Sequence, residues 1–246
     1  MSFASRLSRS IAKPLTSRTT SPETENHSRV SVELAGEELT LHGCHGAFWK
    51  SENLLLVADT HFGKDEVFRS AGIPVPGGVA AGTLARLETM IEAFRPDRLF
   101  ILGDIQHASL RSDGATLATL ASWRSRYEQL DIAAVIGNHD RAAETLLAAF
   151  HAKSLGRSMA IGPFELRHDP KPTPEAFVIA GHVHPVIRIR EGRSLTLRLP
   201  CFHIQADAMT LPAIGMFTGG FPVKPGVADR FFVCRENQIA AWPPVS

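Results

Sequence analysis

The sequence predicts one α/β domain built from two packed mixed β-sheets flanked by helices. Three observations support this. Four short runs, Leu54–Ala58, Leu99–Leu102, Ile132–Ile136 and Phe177–Ala180, are apolar throughout, as suits strands covered on both faces. Helical periodicity separates the first three runs, which implies parallel pairing in the first half. After residue 160 strand-like segments follow one another closely, which suggests a second, largely antiparallel sheet packed on the first.

Each element has its own signal. Residues 1–29 read as a disordered N-terminal extension and 30–246 as the domain. Within that extension Arg6, Arg9, Lys13 and Arg18 stand among many Ser and Thr, with no acidic residue before Glu23. Phe3, Leu7 and Ile11 recur every four residues, a pattern that mimics a mitochondrial transit peptide, but Pro14 and Pro22 break any long helix. Leu84, Leu87, Ile91 and Phe94 form one helix face that ends before Pro96. Leu117, Leu120, Trp123 and Tyr127 repeat the spacing, and Arg141–Phe150 is a shorter third helix. The later strands fall near Phe164–Arg167, Val186–Arg190, Leu195–Leu199, Phe202–Gln205 and Phe231–Cys234.

Composition sets limits on function. The formal net charge is +1, so composition lends DNA binding no support. Three cysteines, Cys44, Cys201 and Cys234, are an odd number without C-x-x-C spacing, which fits a reducing cytoplasm better than a disulfide framework. No apolar stretch approaches 18 residues, so no membrane span is expected.

The chemistry lies just beyond the apolar runs. The first leads into Asp59-Thr60-His61, the second into Gly103-Asp104-Ile105-Gln106-His107, the third into Gly137-Asn138-His139-Asp140 and the fourth into Gly181-His182-Val183-His184. His168 closes the Phe164–Arg167 segment. Strand ends of an open α/β sheet form its binding edge, so these side chains are expected to converge. Two divalent cations ~3.5–4 Å apart can clamp a phosphoryl group and activate water. Such a pair needs a bridging ligand, and Asp104 suits this because each carboxylate oxygen can face a different ion. Taken singly, each motif has an ordinary structural reading as a turn or a helix cap. Their joint occurrence, each after a buried strand, does not.

The series D-x-H, G-D, G-N-H-D, H and G-H-x-H resembles the calcineurin-like metallophosphoesterases. The resemblance implies that Asp59, His61, Asp104 and His184 hold one ion, and that Asp104, Asn138, His168 and His182 hold the other. His139 would then act as general acid on the scissile phosphate, with Asp140 orienting its ring. A narrower likeness joins Asp59–Lys64, Phe68-Arg69, Gly72–Gly78, Leu211-Pro212-Ala213 and Phe217-Thr218-Gly219-Gly220. This set is similar to the ligase-associated DNA damage response endonucleases, with Ile214 where an aromatic residue is expected.

That family implies a manganese-dependent DNA endonuclease, and the expected partner is DNA, either single-stranded or a nicked or branched duplex. It also implies work beside an ATP-dependent DNA ligase, a helicase and an exonuclease. His107, three residues after Asp104, resembles the nuclease branch rather than the G-D-x-x-D-R-G of protein phosphatases. Lys64 and Arg69 read equally as phosphate contacts and as solvated charges. The alternative substrates are small nucleotides, cyclic diesters or pyrophosphates. The intact ligand set argues against a metal-free interaction scaffold.

Overall fold

The computed structural model describes residues 28–75, 77–107, 114–140, 143–191 and 195–242. The expected extension therefore lies outside the described residues as far as residue 27, and so does Arg141 at the start of the third expected helix.

The chain opens with an antiparallel meander: β1 (Arg29–Leu34), β2 (Glu37–His42), β3 (Gly46–Trp49) and β4 (Leu54–Val57). Two helices follow, α1 (Lys64–Ser70) and α2 (Val79–Phe94). Then come β5 (Arg98–Leu102), α3 (Ala115–Arg126), β6 (Asp131–Val135), α4 (Glu144–Ala149) and β7 (Lys153–Ser154). From β4 to β7 all pairs are parallel, and the seven strands lie in sequence order. The helix-coverable apolar runs thus make a parallel half-sheet, as their patterning requires.

Alternation within β4 shows why its run is apolar throughout. Leu54 and Leu56 face the second sheet, packing in one cluster with Phe164, Ile179, Phe202 and Met209. Leu55 and Val57 face the helices, packing with Leu84, Leu87, Leu120 and Trp123. All four are fully buried, and each Leu contributes roughly 2 kcal/mol by leaving water. Helix α2 ends where expected. Arg95 takes a left-handed conformation, its N–H closes on the Ile91 carbonyl, and Pro96 follows.

The second sheet comprises β8 (Ser158–Ile161), β9 (Phe164–Arg167), β10 (Phe177–Ala180), β11 (Pro185–Glu191), β12 (Leu195–Ile204), β13 (Ala208–Thr210), β14 (Phe221–Pro222), β15 (Arg230–Arg235) and β16 (Gln238–Trp242). It is mixed and largely antiparallel, as expected: five of its eight strand pairings are antiparallel, while β10 pairs parallel with β9 and β13, and β11 with β14. Irregular crossovers, such as residues 168–176, connect parallel neighbours without the helix that would reveal them in the sequence. The segments expected as two strands around Pro200 are instead one strand, β12. Pro200 is the residue at which β12 changes partner. Pairing with β11 ends there opposite Val186, and pairing with β15 begins at Cys201.

Candidate metal centre

The carboxyl ends of β4, β5 and β6 in one sheet meet those of β9 and β10 in the other. Backbone bonds weld the exits together. The N–H of Asp59 donates to the Gly103 carbonyl (3.2 Å), His61 to Asp104 (2.9 Å) and Gly181 to His168 (3.2 Å). The segment after β13 closes the back, with the N–H of Ile214 on the Ala58 carbonyl (2.9 Å) and that of Gly215 on Asp59 (3.1 Å).

Two glycines are required here by space. A Cβ on Gly103, whose φ is +77°, would stand 2.3 Å from Nδ1 of His168. One on Gly181 would stand 2.5 Å from Oδ2 of Asp59. The ligand side chains occupy the volume a methyl group would need. The backbone at the ligands is itself unusual, because Asp59, His61, Asp104, His182 and His184 all have positive φ, from 44° to 70°. Non-glycine residues adopt this region at a cost of order 1–3 kcal/mol each, and such outliers gather at functional sites.

Two clusters result. Asp59, His61 and His184 bring donor atoms within 4.8 Å of one another, and so do Asp104, His168 and His182. Nε2 of His61 lies 3.2 Å from Nε2 of His184, and Nδ1 of His182 lies 2.9 Å from Nε2 of His168. Two nitrogens each ~2.1 Å from one ion, at a right angle, would stand about 3 Å apart, so this spacing fits coordination. Nδ1 of His184 donates to the Gly219 carbonyl (3.3 Å) and Nδ1 of His168 to that of Leu102 (3.3 Å). Each bond leaves the Nε2 lone pair facing its cluster, the usual support for a metal-binding imidazole. Burial, reinforced by nearby His184, holds His61 at about 2, so its ring is neutral and able to ligate. Oδ1 of Asp59 is buried without a hydrogen-bond partner, a costly orphan that a cation would satisfy.

Asp104 lies between the clusters. Its Oδ1 is 3.4 Å from Nε2 of His168, and its Oδ2 is 3.9 Å from Nε2 of His61. Oδ1 also accepts the N–H of His139 at 3.0 Å, which ties the β6 exit to the same carboxylate. The His139 side chain is half exposed, with Nε2 3.9 Å from Oδ2 of Asp104. Its ring stacks on that of His107, centroids 5.5 Å apart at 27°. Burial, and then the charge of Lys64, push His107 below the ordinary histidine value. Asn138 is exposed on the same turn and lines a cavity there with Gly137 and Asp140.

Two expectations meet a different geometry. The Asp140 carboxylate accepts the N–H of Ile105 (2.9 Å), Gln106 (3.2 Å) and Gly137 (2.8 Å). Three backbone amides thus occupy it, and it staples the β5 and β6 exits together instead of turning the His139 ring. Burial raises the Asp140 pKa and these amide bonds oppose the rise. Arg69 forms an ion pair with Asp65 (3.0 Å) one helical turn back on α1, which satisfies its charge locally. Lys64 is half buried beside the rings of His61 and His107, and both feel its charge.

Sequence reasoning passed over the Gly219 carbonyl, which sits inside a motif noticed as a pattern, Thr218-Gly219-Gly220, with no hint of its link to His184. His42, Cys44 and His45 form no metal group; among the described residues only the two clusters above do, and the three thiols are free and buried.

A domain that gathers two such clusters along the joint edge of two sheets belongs to the metal-dependent phosphoesterase class of hydrolases. The profile of the calcineurin-like phosphoesterase family matches residues 53–164, the stretch carrying Asp59, His61, Asp104 and Asn138. The crystal structure of nuclease MPE from Pseudomonas putida is 37% identical, covers 83% of this chain and 96% of its own, and superposes with a TM-score of 0.73. At that identity and coverage, the chain belongs to the calcineurin-like phosphoesterase family. A protein of unknown function from Aquifex aeolicus is 20% identical over 57% of this chain and 82% of its own, with a TM-score of 0.39, too slight a likeness to bear on the site. No curated protein sequence matches the chain. The family implies divalent metal ions, and the donor sets above are suited to hold them.

Proposed function

We propose that this chain is a two-metal phosphodiesterase that cleaves DNA internally, with manganese as its activating ion. The observation that carries this is the pairing of two His/carboxylate clusters around Asp104, in a chain 37% identical to a nuclease. Asp59, His61, Asp104 and His184 would hold one ion; Asp104, Asn138, His168 and His182 would hold the other. The mixed oxygen and nitrogen donors are borderline in softness, so selection of manganese would rest on geometry and availability rather than affinity. We further propose a role in DNA repair beside an ATP-dependent ligase, a helicase and an exonuclease. Three buried free thiols suit a reducing cytoplasm. Among the described residues no helix is long and apolar enough to cross a membrane.

Bound divalent ions would supply Lewis-acid activation of the phosphoryl group and of the attacking water. The chain's own residues would do the rest. Asp104 offers one oxygen to each side. His139, anchored through its backbone to Asp104 and limited in swing by the stacked His107 ring, would present an N–H to the leaving oxygen. Lys64 adds fixed positive charge beside the site. Asp140 preserves the spacing between the Asp104 and His139 loops.

A cleavage panel tests the reading: supercoiled plasmid, nicked duplex, single-stranded oligonucleotides, cyclic dinucleotides and dinucleoside polyphosphates, each with manganese, magnesium, zinc and calcium. We expect internal cleavage of DNA, fastest with manganese. His139→Ala should keep metal content and lower turnover of DNA by ~10²–10⁴-fold. Small nucleotides hydrolysed far faster than any DNA would replace the endonuclease reading with the small-diester one.

A further inference from the structure

A cavity of about 450 Å³ opens beside His184, within the range of small-molecule sites, roughly 300–1,000 Å³. Its walls come from the start of β11, from Arg198 and Pro200 on β12, from the Ala213–Gly220 loop and from Arg86 on α2. Among the described residues no carboxylate lines it, whereas two arginines do. Nη1 of Arg86 donates to the Ile214 carbonyl at 2.9 Å, and Nη2 of Arg198 donates to that of Gly220. A guanidinium has five donors, so each contact fixes the group while leaving donors for an anion. The larger cavity on the Asn138 side, about 640 Å³, is lined by Asp140 and Glu144 and, among the described residues, by no aromatic side chain. The chemistry of the two openings is therefore different.

Phe217 is the feature that selects the ligand. Its side chain lines the cavity and is 50% exposed, and its φ is +59°, a conformation rarely taken by an aromatic residue. The loop around it is held at several points. Met216 N–H donates to Thr83 Oγ1 (3.2 Å), Thr218 Oγ1 to the Gly215 carbonyl (2.8 Å) and Phe221 N–H to the His184 carbonyl (2.9 Å). Gly215 leaves no space for a Cβ, which would stand 2.4 Å from the Thr60 carbonyl oxygen. An exposed aromatic on an anchored loop beside two arginines, with no opposing acid among the described residues, is how proteins grip an unpaired nucleotide: base on ring, phosphate on guanidinium.

From this we infer that the cavity beside His184 is a nucleotide subsite. It takes the nucleoside next to the cleaved phosphate, with its base stacked on Phe217 and its outer phosphate on Arg198 and Arg86. The inference rests on the phosphodiesterase reading above and adds which residues hold the substrate. The direct link is the loop itself, since Gly219 orients the His184 ring and Phe217 stands two residues before it.

The test is a coupling cycle on the metal-loaded full chain. Oligonucleotides that carry a single abasic position, moved stepwise past the cleavage point, are compared with the intact oligonucleotide on wild type, Phe217→Leu and Phe217→Trp. For wild type, one abasic position adjacent to the cleaved phosphate should raise KM on the order of 10-fold. Phe217→Leu should raise KM for the intact oligonucleotide by about the same factor, and removing that base should then cost nothing more. Phe217→Trp should restore both the affinity and its dependence on the base. A 2-aminopurine at that position should be quenched on mixing with wild type and not with Phe217→Leu. Independent, additive losses from the base and from Phe217 would overturn the subsite while leaving the endonuclease reading intact. A wild type that hydrolyses dinucleoside polyphosphates but cleaves no oligonucleotide would overturn both.

Discussion

Asp104 is the most constrained residue of the centre. It lies within 4 Å of a histidine nitrogen from each cluster, fixes the backbone of His139 and adopts a φ of 45° that ordinary aspartates avoid. If it is the shared ligand, Asp104→Ala should strip both ions, whereas His182→Ala should lose one. Elemental analysis of the purified variants reads this directly, and one full equivalent retained by Asp104→Ala would sink the sharing. Most of the candidate donors were legible in the sequence because they sit one to three residues past an apolar run; His184 lies four past the last run, and His168 follows the Phe164–Arg167 strand. The role of Asp140 was not. In Gly137-Asn138-His139-Asp140 a carboxylate can face a ring or a turn, and only the approach of Ile105 and Gln106 from another strand decides between them. The same holds for Arg69, whose partner Asp65 is four residues away but becomes a partner only because α1 is helical.

At the scale of elements, legibility followed burial. Strands β4, β5 and β6 are covered on both faces, so beyond the opening Arg98 and Asp131 their sequences are apolar throughout and their ends could be placed within a residue or two. Strand β12 could not be read, because Pro200 signals a break in any local rule while the structure uses it to change partners. The turn between β2 and β3 also hides its physics. There Nδ1 of His42 accepts the Cys44 N–H (3.0 Å), and Nδ1 of His45 donates to the Ala213 carbonyl (2.7 Å).

Burial, then Arg29, lowers His42 to about 4, and burial, then Arg86, lowers His45 to about 4. Both values lie below the ordinary 6.5, so the unfolded chain binds these protons first. Stability is then fully present above pH 6.5 and falls as pH drops towards 4. Discounted for partial solvation, the loss assigned to His42 is on the order of 1–2 kcal/mol. In His42→Asn an amide oxygen can take the Cys44 N–H without titrating, so its urea midpoint should fall less over that pH range. Equal slopes for wild type and variant would remove His42 from the explanation.

Over the whole molecule, charge limits how DNA can be held. Residues 1–27 contain four of the 26 basic side chains and two of the 25 acidic ones, so the +1 of the chain leaves −1 for residues 28–246. That net charge lends no support to a broad basic face, so any DNA binding is expected to depend on local cations. Lys64, Arg86 and Arg198 lie at or beside the centre, while Arg69 is engaged by Asp65. Three phosphates neutralised on a single strand give a salt slope near −2, because each contributes about 0.7. Affinity should then fall roughly 20-fold between 50 and 200 mM salt, far short of the ~10³–10⁵-fold loss of proteins that make six to ten phosphate contacts.

The N-terminal segment offers the competing explanation, since its surplus of two positive charges could itself hold DNA. Deleting residues 2–27 separates the two. Ser28 and the strand that starts at Arg29 remain, including the bond from Gly43 N–H to the Ser28 carbonyl (2.8 Å), so the melting temperature should change little. If the local cations set the binding, the slope should also stay near −2 in the shortened chain. A slope that flattens by one or more on truncation would place the DNA contacts in the first 27 residues. A fall in melting temperature of more than about 2–4 °C would instead show that this segment packs on the domain and contributes about 1 kcal/mol or more.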